Sequence, residues 1–268
     1  PFITNFEVRN ENTAGLRTFL ELKGLPAQNF TWKVNTGLEW QQTNAKIDNY
    51  DNSGGERGTL QASDDLTTRQ SFFFTRASGT FFNRVDLEAA ASVNYYRFDL
   101  NKNNQQASPD FRKFKPQLMP RIALSYQVSE NIAWRNTASR GYSPPTLAEI
   151  RASNQQINTT LQPESGWNFE TGIRLRNHND RFWLDASVFH YKLRDAIVRR
   201  VNADDSEFFL NAGGTRQIGF ESQLSYWVIS PVQQGLIRGL QFRNSLTFNN
   251  FKFSNYLNGT TDYSGNRL

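Results

Sequence analysis

The sequence predicts an all-β fold, arranged as part of an antiparallel transmembrane β-barrel, and three observations carry that expectation. Apolar residues recur at every second position over long stretches, the period of a strand with two unlike faces. Several stretches run for about 10 to 15 residues, against a usual soluble strand of about 5 or 6. A tilted strand needs about 9 to 11 residues to cross a bilayer. The connections alternate between short turns and long polar segments, as in outer-membrane barrels with short periplasmic turns and longer outer loops.

The elements follow in order. LRTFLELKG at 16–24 opens the series. In NFTWKVNTGLEWQ, Phe30, Trp32, Val34, Leu38 and Trp40 share one face, while Thr31, Lys33, Asn35 and Glu39 share the other. RQSFFFTRA follows at 69–77. In RVDLEAAASVNYYRF, Val85, Leu87, Ala89, Ala91, Val93 and Tyr95 oppose Asp86, Glu88, Ser92 and Asn94. RIALSYQV sets Ile122, Leu124, Tyr126 and Val128 against Arg121, Ser125 and Gln127, and NIAWRNTAS sets Ile132, Trp134 and Ala138 against Arg135, Thr137 and Ser139. GWNFETGIRLRN, RFWLDASVFHYKL, QIGFESQLSYWV and LQFRNSLTFNN repeat the alternation, for about ten strands in all. Short turns are expected at 24–29, 77–83, 128–131, 177–180 and 230–237, and long polar loops at 42–68, 99–115, 140–165 and 195–213.

The totals agree with a barrel. The 268 residues are 37% hydrophobic and 14% aromatic, with no cysteine and one methionine. No apolar run approaches the roughly 20 residues of a membrane helix. A mean hydropathy of −0.65 is compatible with a barrel, which needs apolar residues only at alternate positions. The polar face carries Asp, Glu, Arg, Gln and Asn well inside the strands, as suits a wet or plugged lumen. Aromatics near strand ends, among them Trp40, Tyr95, Tyr142, Trp167, Tyr191 and Trp227, suit interfacial girdles. The net charge of +5 is spread along the chain with no cluster beyond Arg199-Arg200, so no nucleic-acid partner is indicated. A soluble all-β module, such as a carbohydrate-binding sandwich, would show the same alternation.

Nothing in the sequence assembles a catalytic site. There is no cysteine, and the two histidines are His178, in a polar turn, and His190, in a strand. The glycine pairs in DNSGGERG and NAGG are not followed by a helix and make no phosphate loop. The acidic pairs Asp64-Asp65 and Asp204-Asp205 read as solvated loop residues. No cofactor or metal site is expected, and no enzyme.

The stretch RGYSPPTLAEI at 140–150 closes a good strand on a proline pair. Proline cannot donate to a sheet ladder, and the residue before it is pushed toward extended backbone. Pro144 and Pro145 should therefore end the pairing, with TLAEI free to make a short helical turn.

From here specific words accumulate. They are Tyr142, Pro145, Thr146, Glu149 and Ile150; Leu161, Pro163 and Glu164; Glu170 and Gly172; Asp195 and Ile197; Asn211 and Gly213; and Gly219, Phe220 and Glu221. In that order and frame the chain resembles the β-barrel domain of TonB-dependent outer-membrane receptors. The resemblance implies location in the outer membrane of a Gram-negative bacterium, in contact with its lipid. It implies a barrel of about 22 strands, so that residues 1–268 would be an interior part of the barrel domain. An N-terminal plug and the last C-terminal strands would lie outside this chain. It implies uptake of a scarce nutrient complex, a ferric siderophore above all, energised by the TonB complex acting through the plug. A passive porin-like barrel is the alternative. Basic residues of the outer loops and lumen, Arg140, Arg151, Arg174 and Arg176, together with Tyr142, are the candidate contacts for an anionic chelate. Pro144, Pro145, Glu149, Pro163, Glu164, Glu170, Gly219 and Glu221 are expected to be structural members of the motifs.

Overall fold

The computed structural model describes residues 5–24, 29–103, 110–152, 157–177, 181–203, 205–231 and 236–268. His178 and Asp204 lie outside them. The expected strands all form, and most are longer than the alternation alone marks out. They are β1 (Asn5–Lys23), β2 (Phe30–Ser53), β3 (Glu56–Phe81), β4 (Val85–Lys102), β5 (Asp110–Lys113), β6 (Gln117–Ser129), β7 (Ile132–Ser143), β8 (Glu164–Arg176), β9 (Phe182–Arg194), β10 (Ile197–Val201), β11 (Glu207–Asn211), β12 (Gly214–Ile229) and β13 (Leu240–Ser254). A helical turn, α1 (Leu147–Ile150), interrupts the long connection after β7, and β14 (Leu257–Asn258) pairs with β15 (Thr261–Asp262).

The main strands form one 11-stranded sheet in the order β1-β2-β3-β4-β6-β7-β8-β9-β12-β13, with β5 folded back onto β4. Every strand in it pairs antiparallel with its neighbour. The other sheets among the described residues are the two-stranded pairs β10–β11 and β14–β15, and apolar residues such as Phe73, Ile122 and Phe248 stay exposed. The apolar face is thus not the core of a sandwich, and the soluble-module alternative fails.

Register turns the alternation into two continuous surfaces. Leu38 stands opposite Phe73, Phe73 opposite Val93, and Val93 opposite Leu118. Further along, Trp134 opposes Ile173, Ile173 opposes Ala186, Ala186 opposes Ser222 and Ser222 opposes Leu246. This outward row is apolar and exposed: Phe73 is 56% exposed, Ile122 63% and Phe248 61%. Water would make such a surface costly, whereas lipid makes it favourable. Trp40 and Trp167 lie on this row toward the long-connection end, and Tyr126, Trp134 and Tyr226 toward the short-turn end. They form the two aromatic girdles. Tyr95 joins the first girdle through Ser71, which stands between it and Trp40. Tyr191 and Trp227, expected in the girdles, fall on the inward row instead, opposite Asn168 and Gln241.

The expected loop at 42–68 is not a loop. β2 and β3 continue past the girdle as a paired ladder and turn only at Gly54-Gly55, both with positive φ (69° and 97°). The physical reason is a change of phase. Within the lipid band the outward row is apolar. Beyond Trp40 and Tyr95 the outward row becomes polar (Gln42, Lys46, Arg97, Asp99), and the apolar residues switch to the inward row. Ala45, Ile47, Leu66, Tyr96, Phe98 and Leu100 then bury together on that face with Phe114 and Ile150. A reading that follows one phase sees this switch as the end of the strand. In the same way, residues expected as loop at 195–213 carry the β10–β11 hairpin, and β4 extends to Lys102 with β5 returning beside it.

Candidate functional site

The long-connection end holds the most organised cluster in the molecule. The chain leaves β7 at Ser143, and Pro144 and Pro145 end the pairing as expected. Pro145 is buried and its carbonyl accepts a hydrogen bond of 2.9 Å from the Tyr96 hydroxyl on β4. Thr146 then caps α1. Its hydroxyl accepts from the Glu149 amide at 3.3 Å, and the Glu149 carboxylate accepts from the Thr146 amide at 2.7 Å, a reciprocal capping box. That is the structural work of Glu149.

α1 sends the segment back across the inner wall. Ile150 enters the cluster of Ile47, Leu66 and Phe98, with Leu147 and Ile157 packed against it. Arg151 goes further. Its side chain is 0% exposed. Nε donates to Asp64 on β3 at 2.5 Å, Nη2 to Asn49 on β2 at 2.5 Å, and Nη1 reaches Glu7 on β1 at 3.4 Å. Asp64 itself is 4% exposed. One guanidinium thus ties the connection after β7 to the first strands of the sheet, and it also neutralises Asp64 of the acidic pair. Asp65 accepts from Asn103 at 2.9 Å.

The motif words of the second half meet in a knot beside this segment. Asn211 donates to the carbonyls of Gln162 at 2.8 Å and Asp195 at 2.6 Å, and its side-chain oxygen accepts from the Gln162 amide at 2.6 Å. Glu164, the first residue of β8 and beyond the Trp167 girdle, accepts from the Ile197 amide at 2.7 Å. Burial raises its pKa, the Ile197 hydrogen bond offsets part of that rise, and the Glu149 charge adds to it. Gly213 takes a left-handed φ of 61°, and its carbonyl accepts a hydrogen bond of 3.1 Å from the Ala196 amide. The sequence spreads these residues over about fifty positions; the fold brings Gln162, Glu164, Asp195, Ile197, Asn211 and Gly213 together. Replacing Asn211 by alanine removes all three bonds. We expect a local destabilisation of about 2 to 3 kcal/mol, read as faster amide exchange at Gln162 and in the β10–β11 hairpin, with β8–β9 unchanged.

The inner wall toward the short turns is charged throughout. Glu88 receives Arg76 at 2.5 Å and Arg121 at 3.2 Å. Asp185 receives Arg174 at 2.7 Å and is paired with Arg135 as well. Arg76, Glu88, Arg121 and Arg135, with Lys23, Lys33, Thr137 and Glu170, line a groove of about 680 Å³. Glu170 stands on the inward row opposite Thr137 and Phe189, and Glu221 on the same row opposite Ser187 and Thr247. Gly219 is where Phe189 needs space: a Cβ there would lie 2.3 Å from its ring.

The nominated contact residues therefore do not converge. Arg140 and Tyr142 belong by register to the outward row, opposite Trp167 and Ser165. Arg140 donates to the Gln117 side chain at 2.9 Å and the Leu118 carbonyl at 3.0 Å, and the Tyr142 hydroxyl is buried without a partner. Arg151 is committed to the inner-wall cluster. Arg174 and Arg176 lie at the opposite end of the sheet, near the Glu130-Asn131 turn. The Asn49–Asp64–Arg151 cluster and the rim knot were not foreseen. Motif words marked the residues of the knot but not their contacts; Arg151 was singled out by charge and Asp64 read as a solvated loop residue, because contacts across 87 and 102 residues leave no local signal.

Comparisons with known proteins agree with this architecture. Among curated proteins, the metal-pseudopaline receptor CntO of Pseudomonas aeruginosa is 24% identical over 136 residues, covering 48% of this chain and 18% of the receptor. Solved structures share the fold. The ferric citrate transporter FecA aligns over 94% of this chain and 37% of its own, with a TM-score of 0.74 and 12% identity. The copper transporter OprC aligns over 92% and 39%, with a TM-score of 0.71 and 14% identity. The ferripyoverdine receptor of Pseudomonas aeruginosa aligns over 94% and 34%, with a TM-score of 0.70 and 14% identity. The chain thus spans well under half the length of each. The family described as "TonB dependent receptor-like, beta-barrel" matches residues 3–268. Its members are transport receptors of the Gram-negative outer membrane. With a lipid-facing apolar row, a charged inner wall and a knotted rim all in place, the chain belongs to the TonB-dependent receptor β-barrel family.

Proposed function

We propose that residues 1–268 form part of the barrel of a receptor that binds a metal chelate, a ferric siderophore by preference, and imports it with energy delivered through TonB. The observation that carries this reading is the inner wall. It is lined by Arg–carboxylate pairs toward the short turns, and at the other end it is covered by a segment folded back onto it through Arg151. A plug domain in the lumen would meet the charged groove lined by Arg76, Glu88, Arg121 and Arg135. The α1 segment and the rim knot would face the arriving ligand, with Arg140 and Tyr142 at the base of that segment and Arg174 and Arg176 deeper in the wall. The curated relative is named for a metal–pseudopaline complex and the structural relatives for ferric citrate, copper and ferripyoverdine, which supports a metal chelate as the cargo class.

The test is uptake of radiolabelled ferric siderophores by iron-starved cells with and without the gene. Uptake should require the gene and should vanish when TonB is removed or the proton-motive force is dissipated. Gene-dependent uptake that persists without TonB would replace this reading with a passive barrel. TonB-dependent uptake of copper or haem complexes alone would keep the transport class and change the cargo.

A further inference from the structure

One level of the outward row is occupied by cations. Arg140 on β7 stands opposite Trp167 on β8, and Trp167 opposite Lys192 on β9. Lys192 pairs in register with Arg216 on β12, Arg216 with Lys252 on β13, and Lys252 with Arg267 through an antiparallel bridge. Arg194 is the next outward residue along β9. With strands about 4.8 Å apart, the row from Lys192 to Arg267 is about 14 Å wide.

Like charges directly opposite one another destabilise a sheet, so such a row calls for a counter-charge. The protein does not supply it. Among the described residues, Lys192, Arg194, Arg216, Lys252 and Arg267 make no ion pair. The outward positions of β8, β9, β12 and β13 carry no Asp or Glu. The other side of the sheet serves as a comparison. There Arg69 and Arg97 also face each other on the outward row, but Asp99 pairs with both, at 2.5 Å from Arg69 and 2.8 Å from Arg97.

The height of the row identifies the counter-charge. One level toward the short turns the same strands present Phe169, His190, Ile218 and Asn250, then Thr171, Val188, Phe220 and Phe248. The cations therefore sit at the upper edge of the lipid-facing band, level with Trp167 of the aromatic girdle. Long basic side chains at that position lay their stems on the apolar surface and hold their charges at headgroup height. Phosphate matches guanidinium in bidentate geometry, and a lipid headgroup is the phosphate source continuous with this surface.

We propose that Lys192, Arg216 and Lys252, flanked by Arg194 and Arg267, bind the phosphate groups of an anionic glycolipid in the outer leaflet of the outer membrane. This inference needs only the membrane location and the register; it does not depend on the cargo.

The experiment uses the intact receptor in mixed detergent micelles, with bisphosphorylated lipid A, dephosphorylated lipid A and inorganic phosphate as probes. Bisphosphorylated lipid A should bind the wild-type receptor about tenfold or more tightly than the dephosphorylated form, and binding should weaken with salt. The Lys192→Gln/Arg216→Gln/Lys252→Gln variant should lose most of that difference, and the Lys192→Arg/Lys252→Arg variant should keep it. Equal binding of the two lipid A forms by the wild type overturns the proposal whether or not the variants fold. Competition by millimolar inorganic phosphate as effective as that by lipid A would assign the row to free anions and overturn the lipid site. Full retention by the glutamine variant would place the lipid elsewhere.

Discussion

Replacing Arg151 with methionine is expected to release the α1 segment from the inner wall. The substitution keeps the apolar stem but removes the guanidinium that neutralises Asp64, which is 4% exposed. A buried carboxylate left without its partner costs about 3 to 5 kcal/mol. That cost falls on the anchoring of the segment, because Glu7 lies at a more open edge and the strands keep their ladders. Amide exchange at Ile150 and Arg151, whose N–H groups close the turn on Thr146 and Leu147, should accelerate by about a hundredfold or more. Exchange in β8 and β9 should not change. The double variant Arg151→Met/Asp64→Asn removes the orphaned charge and should recover most of the protection. If the single variant exchanged as slowly as wild type, the cluster would contribute nothing to holding the segment. The packing of Leu147 and Ile150 against Phe98 and Leu66 would then account for all of it.

The second large effect is expected at Gly213. Its φ of 61° lies in the left-handed region, which a β-carbon disfavours. A Cβ there would also sit 1.5 Å from the carbonyl oxygen of Asn255 and 2.4 Å from its carbon. Backbone atoms cannot rotate away as a side chain can, so the connection after β13 must shift. We expect Gly213→Ala to cost about 3 kcal/mol or more at the rim, seen as lost protection in the β10–β11 hairpin and at Tyr256. Gly54 supplies the comparison. It has a similar φ of 69° with nothing within 4 Å of a built Cβ, so Gly54→Ala should show only the backbone penalty of about 1 kcal/mol. Equal costs at the two glycines would mean that the Asn255 contact relaxes freely.

Much of the architecture was legible because a lipid-crossing strand is a local object. Its two faces meet different solvents, so Leu87, Ala89, Ala91, Val93 and Tyr95 announce themselves within a single stretch. The loop after β7 was legible for a similar reason: two prolines end a ladder, and Thr146 and Glu149 cap a turn within four residues. The hairpin at 42–68 was not, because its apolar residues change face above the membrane. Ala45, Ile47 and Leu66 are buried by a segment that arrives from a hundred residues away. The contact residues fared similarly. Charge alone nominated Arg151 and Arg174 as lumen cations, but whether a cation meets a ligand or an internal carboxylate depends on what the fold places opposite it.

By itself the sequence determined the alternation, the lipid-crossing strands and their order, and the membership of the family, since each rests on residues close together along the chain. Only the tertiary structure decided which residues share a level across the sheet. Register gathered Lys192, Arg216, Lys252 and Arg267, which look scattered along the chain, into one uncompensated row. The folded-back segment gave Arg151 its carboxylate. Both outcomes depend on pairing between strands and on long-range closure, and the energy of a charge is set by its neighbours in space.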